Sequence, residues 1–328
     1  MVMLPFLHPI LQPALYHGHG KQAPFFEGWY FKLVSADETA RFAIIPGVIL
    51  SGDPHAFVQV LDGNTRHTQY HRYPLKDFWA ARDEFQIAVG PNRFNLNGFT
   101  LDLDNAQGRV QGQVTFGPTQ PWPVRWYSPG IMGWYAWLPF MECYHGVLSF
   151  DHRLEGVLTF DQQVSDFTEG RGYIEKDWGK SFPEAYVWLQ SNHFQEPGIS
   201  LVVSVAIIPW LGSAFPGFIV GFWRKGELHR FATYTGAQIR DLTINPQEVS
   251  LIFEDKKHRL ELKAQRSEGG LIKGPTTVDM GQRIHETLGA EVQVTLSTGE
   301  GEVLFTGRGC HGGLEVFEPE KLLGLIKK

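Results

Sequence analysis

An all-β chain of short antiparallel strands is what this sequence predicts, and three observations carry the prediction. Short apolar runs with a two-residue alternation recur along the chain, bounded by Gly, Pro, Asn or Asp. The 24 Phe, 10 Trp and 10 Tyr, set among 36 Gly and 20 Pro, suit strands joined by tight turns. In the second half, helical periodicity is confined to the tail at 319–328. Strands without alternating helices make an antiparallel sandwich or barrel rather than βαβ units. At 328 residues the chain also exceeds the roughly 250–300 at which a single core stops growing, so two domains or one large β body are expected.

Taken in order, the first clear strand is 24–32 (PFFEGWYFK), whose alternation puts Phe25, Glu27, Trp29 and Phe31 on one side. A carboxylate among aromatics is either rimmed by solvent or carries a pKa raised by desolvation. Residues 42–62 follow as a strand and hairpin pattern, 73–82 as a short helix, and 85–89, 94–103 and 109–116 as a meander. The proline- and tryptophan-rich 118–133 reads as a long ordered loop able to roof a pocket or join domains. Short strands are expected at 144–150 and 154–160. The similarity of VQGQVTF (110–116) to LEGVLTF (154–160) hints at duplicated β-domains. Further on, 200–208 reads as a strand buried on both faces, 218–224 and 228–234 as a hairpin about Lys225-Gly226, and 249–254, 258–264, 292–296 and 303–307 as further strands.

Composition excludes several functions. A formal charge of −6 and the absence of Lys/Arg clusters argue against nucleic-acid binding. The opening MVMLPFLHPILQPALYHGHG lacks a basic start and is broken by prolines, so neither a signal nor a transit peptide is expected. The apolar run at 200–212 is too short to span a bilayer as a helix. Cys143 and Cys310, without CxxC spacing, read as reduced, buried thiols of a cytoplasmic protein. GRGCHG (307–312) has the letters of GxGxxG but no βαβ context, and there is no GxSxG elbow. His17 and His19, with His55, His67 and His71, lack HExxH or any second pattern. No metal is expected.

The stretch 172–194, GYIEKDWGKSFPEAYVWLQSNHF, concentrates the chemistry. Alternation places Tyr186, Trp188, Gln190 and Asn192 on one face of a strand and Val187 and Leu189 on the other, as in a cavity wall or a buried, satisfied face. Glu175 and Asp177 share a side, with Lys176 opposite, which leaves the two carboxylates free to share a proton. Glu27, Glu175, Asp177 and Glu315 are the carboxylates set among aromatics. That pairing suits proton-initiated chemistry through a carbocation, with rings stabilising the cation, and equally suits a passive apolar pocket.

PFFEGWYFK, the central GYIEKDWGKSFPEAYVWLQSNHF and the closing GLE at 313–315 resemble the tocopherol cyclase family in its bacterial branch, with the match running in order along nearly the whole chain. The resemblance implies two lipocalin-like (calycin-type) antiparallel β-barrel domains with a short C-terminal helix, related to carotenoid hydratases; we place them at 1–148 and 149–328, the second carrying GYIEKDWG. It implies a cofactor-independent ring closure in which the phenol of a prenylated hydroquinone adds to its isoprenoid double bond to give a chromanol. Positions shared with the family are Glu27, Trp29, Tyr30, Lys32, Glu175, Lys176, Asp177, Trp178, Trp188, Gln190, Asn192 and Glu315. In this reading Glu175 or Asp177 donates the proton, and Glu27 or the other of that pair takes the phenol proton, with Glu315 next in line. Trp29, Trp178 and Trp188 are expected to stabilise the cation, and Tyr30, Lys32, Lys176, Tyr186, Gln190 and Asn192 to line the substrate. The expected partner is a small apolar isoprenoid, with peripheral membrane contact compatible with it. A non-catalytic isoprenoid carrier and a Trp-lined carbohydrate cleft are the competing classes.

Overall fold

The computed structural model describes residues 9–326. The first eight residues, where the amino-terminal reading begins, and the last two of the predicted tail helix lie outside the described residues. The first sheet has twelve strands: β1 (Phe26–Val34), β2 (Arg41–Ile49), β3 (His55–Asp62), β4 (Thr68–Pro74), β5 (Phe78–Ala80), β6 (Gln86–Val89), β7 (Asn92–Asn95), β8 (Gly98–Asn105), β9 (Gly108–Phe116), β10 (Cys143–Phe160), β11 (Gln163–Asp166) and β12 (Arg171–Gly179). The second has eleven: β13 (Tyr186–Ser191), β14 (His193–Phe194), β15 (Ser200–Trp210), β16 (Ser213–Arg224), β17 (Glu227–Ala232), β18 (Gln238–Ile244), β19 (Glu248–Glu254), β20 (His258–Gln265), β21 (Gly270–Gly274), β22 (Gln282–Thr298) and β23 (Val303–Phe317). An α-helix, α1 (Pro319–Ile326), follows β23. The predicted all-β pair of lipocalin-like antiparallel domains with a short C-terminal helix is the fold observed.

By contacts the chain forms two compact units, Met1–Phe182 with Ile272–Arg283, and Pro183–Leu271 with Ile284–Lys328. The division expected at 148/149 falls inside β10, which runs unbroken through it. Cutting there would remove a strand that pairs with β12 along its first half and with β9 and β11 along its second. The two short strands expected at 144–150 and 154–160 are therefore one, and GYIEKDWG, as β12, belongs to the first unit.

In the first unit the strands run β4-β3-β2-β1-β12-β10-β9-β8-β7-β6-β5. The free edge of β4 is met by the turn that follows β8. Gln107 Oε1 accepts from the Tyr70 amide at 2.7 Å and Asn105 Nδ2 donates to the Tyr70 carbonyl at 3.2 Å, so the edge is capped and the sheet bends round upon itself. Its interior holds Trp29, Phe31, Leu33, Ile44, Val58, Phe94, Leu154 and Ile174. The expected helix at 73–82 is one 3₁₀ turn, Leu75–Asp77, leading into β5. YPLKDFWAAR offers no N-cap, and its aromatic end continues the sheet.

The second unit packs Val187, Leu189, Val203, Val205, Leu251, Leu262, Val294 and Leu314 into one core, against which α1 lays Leu322. The GRGCHG segment lies within β23, as strand rather than a phosphate loop. Neither cysteine is in a disulfide, and both are only half-buried, short of the burial expected. Among the described residues no helix is long and apolar enough to cross a membrane.

Candidate active site

Strands β1, β12 and β10 lie side by side, and their register decides which side chains meet. Glu27, Gly28, Trp29 and Tyr30 stand opposite Trp178, Asp177, Lys176 and Glu175. Across the other edge of β12, Tyr144, His145, Gly146 and Val147 stand opposite Trp178, Asp177, Lys176 and Glu175. Directly opposed residues share a face of the sheet. Two clusters result, one on each side of β12.

The inner cluster is a fully buried ion pair between Glu27 and Lys176, both 0% exposed. The ammonium also donates to the Leu15 carbonyl at 2.6 Å and sits 4.8 Å over the Trp29 ring and 4.9 Å over that of Trp178. Glu27 Oε2 accepts from the His17 amide at 2.8 Å. The His17 ring stacks on Trp178 at 4.1 Å. Its Nε2 lies 3.2 Å from the Pro9 carbonyl and its Nδ1 3.2 Å from Lys176 Nζ. That pattern fits the neutral tautomer protonated at Nε2, in keeping with a pKa lowered by burial and by Lys176. Burial alone would raise the pKa of Glu27, but Lys176 and His17 outweigh it and hold the carboxylate below its usual range. Gly146 makes room here: a Cβ would come within 3.4 Å of the Lys176 stem and 3.3 Å of the Trp178 ring.

The outer cluster is a row of ionisable groups in hydrogen-bond or ion-pair contact. Tyr173 Oη donates to Glu175 Oε2 at 2.5 Å, His145 Nε2 lies 3.4 Å from the same oxygen, and His145 Nδ1 is 2.7 Å from Asp177 Oδ1. Burial would lower the His145 pKa, yet Asp177 and Glu175 together raise it to about 9. That shift favours the imidazolium, with its proton on the histidine between the two carboxylates that were expected to share one. Burial and Glu175 push the Tyr173 phenol well above its ordinary value. Glu175 is 5% exposed, whereas Asp177 is 26% exposed and is the point at which the row opens. Two register shifts in β10, between Val147 and Ser149 and between Ser149 and His152, follow directly on His145. By register Tyr30 and Lys32 share this face.

The remaining candidates belong to the second unit. Val187 and Leu189 enter its core, while Tyr186, Trp188, Gln190 and Asn192 face away from it and are nonetheless buried. Trp188 stands opposite Glu315, and Tyr186 Oη donates to Glu315 Oε2 at 2.7 Å. Glu286 on β22 stands opposite Glu315 in turn.

Glu175 and Asp177 are thus brought together, whereas Glu27, Lys176, Trp29 and Trp178 lie across the sheet from them. Trp29 and Trp178 spend their faces on the Lys176 ammonium. Sequence reading missed three members. Tyr173 carried a signal, since the same alternation that pairs Glu175 with Asp177 includes it. His145 carried none without the register of β10, and His17, read as a bland loop histidine, is stacked and buried. No metal motif runs through His145, Glu175 and Asp177, yet their ligand atoms lie within 4.8 Å of one another, a nitrogen and oxygen set of the kind that can take a divalent ion.

Residues 23–317 match the family model described as tocopherol cyclase-like. Among curated proteins the chain is 24% identical over 321 residues to "Probable tocopherol cyclase, chloroplastic" of Oryza sativa subsp. japonica, covering 81% of this chain and 68% of that one. It is 24% identical over 322 residues to "Tocopherol cyclase, chloroplastic" of Zea mays, covering 81% and 67%. Among solved structures it resembles CghA, with a TM-score of 0.57 and 13% identity over 90% of each chain. It also resembles kievitone hydratase from Nectria haematococca, with a TM-score of 0.51 and 11% identity over 93% of each. These two likenesses concern the fold. With the family model spanning all but the ends, the chain belongs to the tocopherol cyclase-like family.

Proposed function

We propose that the protein closes a chromanol-type ring on a prenylated hydroquinone, drawing its proton from the His145–Asp177–Glu175 row. The observation that supports the reading is the His145 imidazole of β10 set between Glu175 and Asp177 of β12, the strand that carries GYIEKDWG. In water the imidazolium and carboxylate stay charged. An apolar prenyl chain laid over the quarter-exposed Asp177 removes solvent from that contact, and desolvation favours the neutral pair of carboxylic acid and imidazole. Asp177 then protonates the less substituted alkene carbon, and positive charge develops on the tertiary carbon. The phenol oxygen forms its C–O bond to that carbon as the alkene π bond is consumed. The phenol proton returns to the row through Glu175 or His145. One proton enters and one leaves, so the reaction is an isomerisation whose electron balance needs no redox partner. On this face Tyr30 and Tyr173 are the aromatic groups beside the developing cation.

The test is turnover of a prenylated hydroquinone by the pure protein in deuterated water. An isomer carrying one non-exchangeable deuterium beside the new C–O carbon is expected, with Asp177→Asn slower by about 100-fold or more. Unlabelled product, or an Asp177→Asn variant as fast as wild type, contradicts the assignment. Return of the quinol bound but unchanged would make the protein a carrier.

A further inference from the structure

The segment 117–141, between β9 and β10, is not used by the reading above. It holds four of the ten tryptophans and a single charged residue, Arg125. Its inner side is fixed: Trp122 is buried and stacks on Phe150 at 5.5 Å, the Trp122 amide donates to the Val147 carbonyl at 3.2 Å, and the Phe150 amide to the Gln120 carbonyl at 2.7 Å. Tyr144 hydrogen-bonds the Leu138 carbonyl. These ties all run to β10 on either side of His145. The outer side is different, for Trp126 is 76% exposed, Tyr127 54%, Phe140 48%, Trp134 43% and Val124 41%.

We propose that this loop is a membrane-docking surface that seats the first unit on a lipid bilayer. Large rings held out in water by a firmly anchored backbone need a partner, because their exposure is not a by-product of disorder. Trp and Tyr join an apolar body to a polar tip and concentrate at the headgroup level of bilayers. The charges fit a lipid surface as well. In a chain of net charge −6, this segment carries no Asp or Glu to be repelled by lipid phosphate, and its one charge is the Arg125 cation. The rings stand as small clusters, Trp126 with Tyr127 at 5.5 Å and Trp134 with Tyr135 at 4.3 Å, divided by Pro129, which suits shallow insertion into a fluid interface. The inference stands apart from the chemistry, though an isoprenoid dissolved in lipid would then arrive beside the strand that carries His145.

The experiment is co-sedimentation of the full chain with extruded vesicles of phosphatidylcholine, with and without one quarter phosphatidylglycerol. Wild type is expected in the pellet. Trp126→Ser and Trp134→Ser should each weaken partition by about tenfold, on the apolar area each ring withdraws from water. Arg125→Gln should act on the anionic vesicles alone. Val164→Ser, an exposed apolar residue on β11 beside the far end of β10, should change nothing. Brominated lipid should quench wild-type fluorescence more than that of Trp126→Ser. Wild type remaining in the supernatant, or both tryptophan variants binding like wild type, overturns the proposal. So does lipid-free self-association that Trp126→Ser abolishes, since a second copy would then cover the loop. Vesicle binding is read without substrate, so its failure leaves the ring closure standing, and failed turnover leaves the docking surface standing.

Discussion

The two faces of β12 handle charge in opposite ways. On the inner face one anion and one cation, Glu27 and Lys176, are sealed at 0% exposure between Trp29 and Trp178, with the His17 amide and the Leu15 carbonyl filling further hydrogen bonds. On the outer face two carboxylates flank one imidazole, with Lys32 on the same side of the sheet, and Asp177 keeps a quarter of its surface open. A matched, closed pair has nothing to give a substrate without leaving a buried charge behind. A partly open row, with its imidazole beside the accessible Asp177, has a proton within reach of a substrate. Within one nine-residue strand, access to solvent separates a structural device from a chemical one.

Breaking the inner pair should produce the largest effect. Lys176→Met leaves Glu27 buried and unpaired, which costs about 3–5 kcal/mol of folding stability. Adding Glu27→Gln removes the stranded charge, and the double variant should recover most of the loss in urea unfolding. If Lys176→Met alone unfolds within about 1 kcal/mol of wild type, the inner face is not a sealed ion pair and the contrast between the faces fails.

The outer face should respond in turnover before stability. His145→Gln keeps a hydrogen-bonding side chain but removes the stored proton, so cyclisation should fall by about 100-fold or more, with folding retained. Undiminished turnover would remove the row from the reaction. Tyr173→Phe is milder. It strips Glu175 of a charge-assisted hydrogen bond, with a loss of about 1.5–3 kcal/mol in stability and a smaller loss in rate than His145→Gln. A rate loss equal to that of His145→Gln would place the proton on the tyrosine side instead.

Much of this contrast was legible in the residues alone. Period-two alternation through YIEKDW separates Glu175 and Asp177 from Lys176 without any structure, and the same rule assigns Val187 and Leu189 to the core. Pairing across strands was not legible. His145 meets Asp177 only because β10 lies beside β12 in a particular register, across a separation of 32 positions in sequence. The unbroken course of β10 was hidden for a related reason: its two register shifts are absorbed within the strand, and YHGVLSFDHRLEGVLTF reads as two strands with a break between them. Glu27 was recognisable as a carboxylate among rings. Its partner could not be known, since Lys176 reaches it across 149 positions.

The finest test of the contrast uses pH. The His145 pKa is raised from 6.5 to about 9 in the folded protein, so between those values the native state binds more protons than the unfolded one. Stability from this group is complete below about pH 6.5 and is lost as pH rises through 9. His17, His55, His71, His152 and His229 are all shifted the other way, chiefly by burial. Their contribution is present above pH 6.5 and is lost as pH falls through their lowered values, so it lies outside the alkaline window. The Cys143 thiol, raised by burial above 9.0, has the same sign as His145 but acts only above that pH. Urea unfolding between pH 7 and 9 should therefore show a midpoint that declines in wild type and stays nearly level in His145→Gln, with turnover of wild type falling over the same range. The apparent midpoint belongs to the coupled row rather than to the histidine alone. Equal slopes in the two proteins would mean that His145 holds no extra proton, and the outer face would then be as inert as the inner.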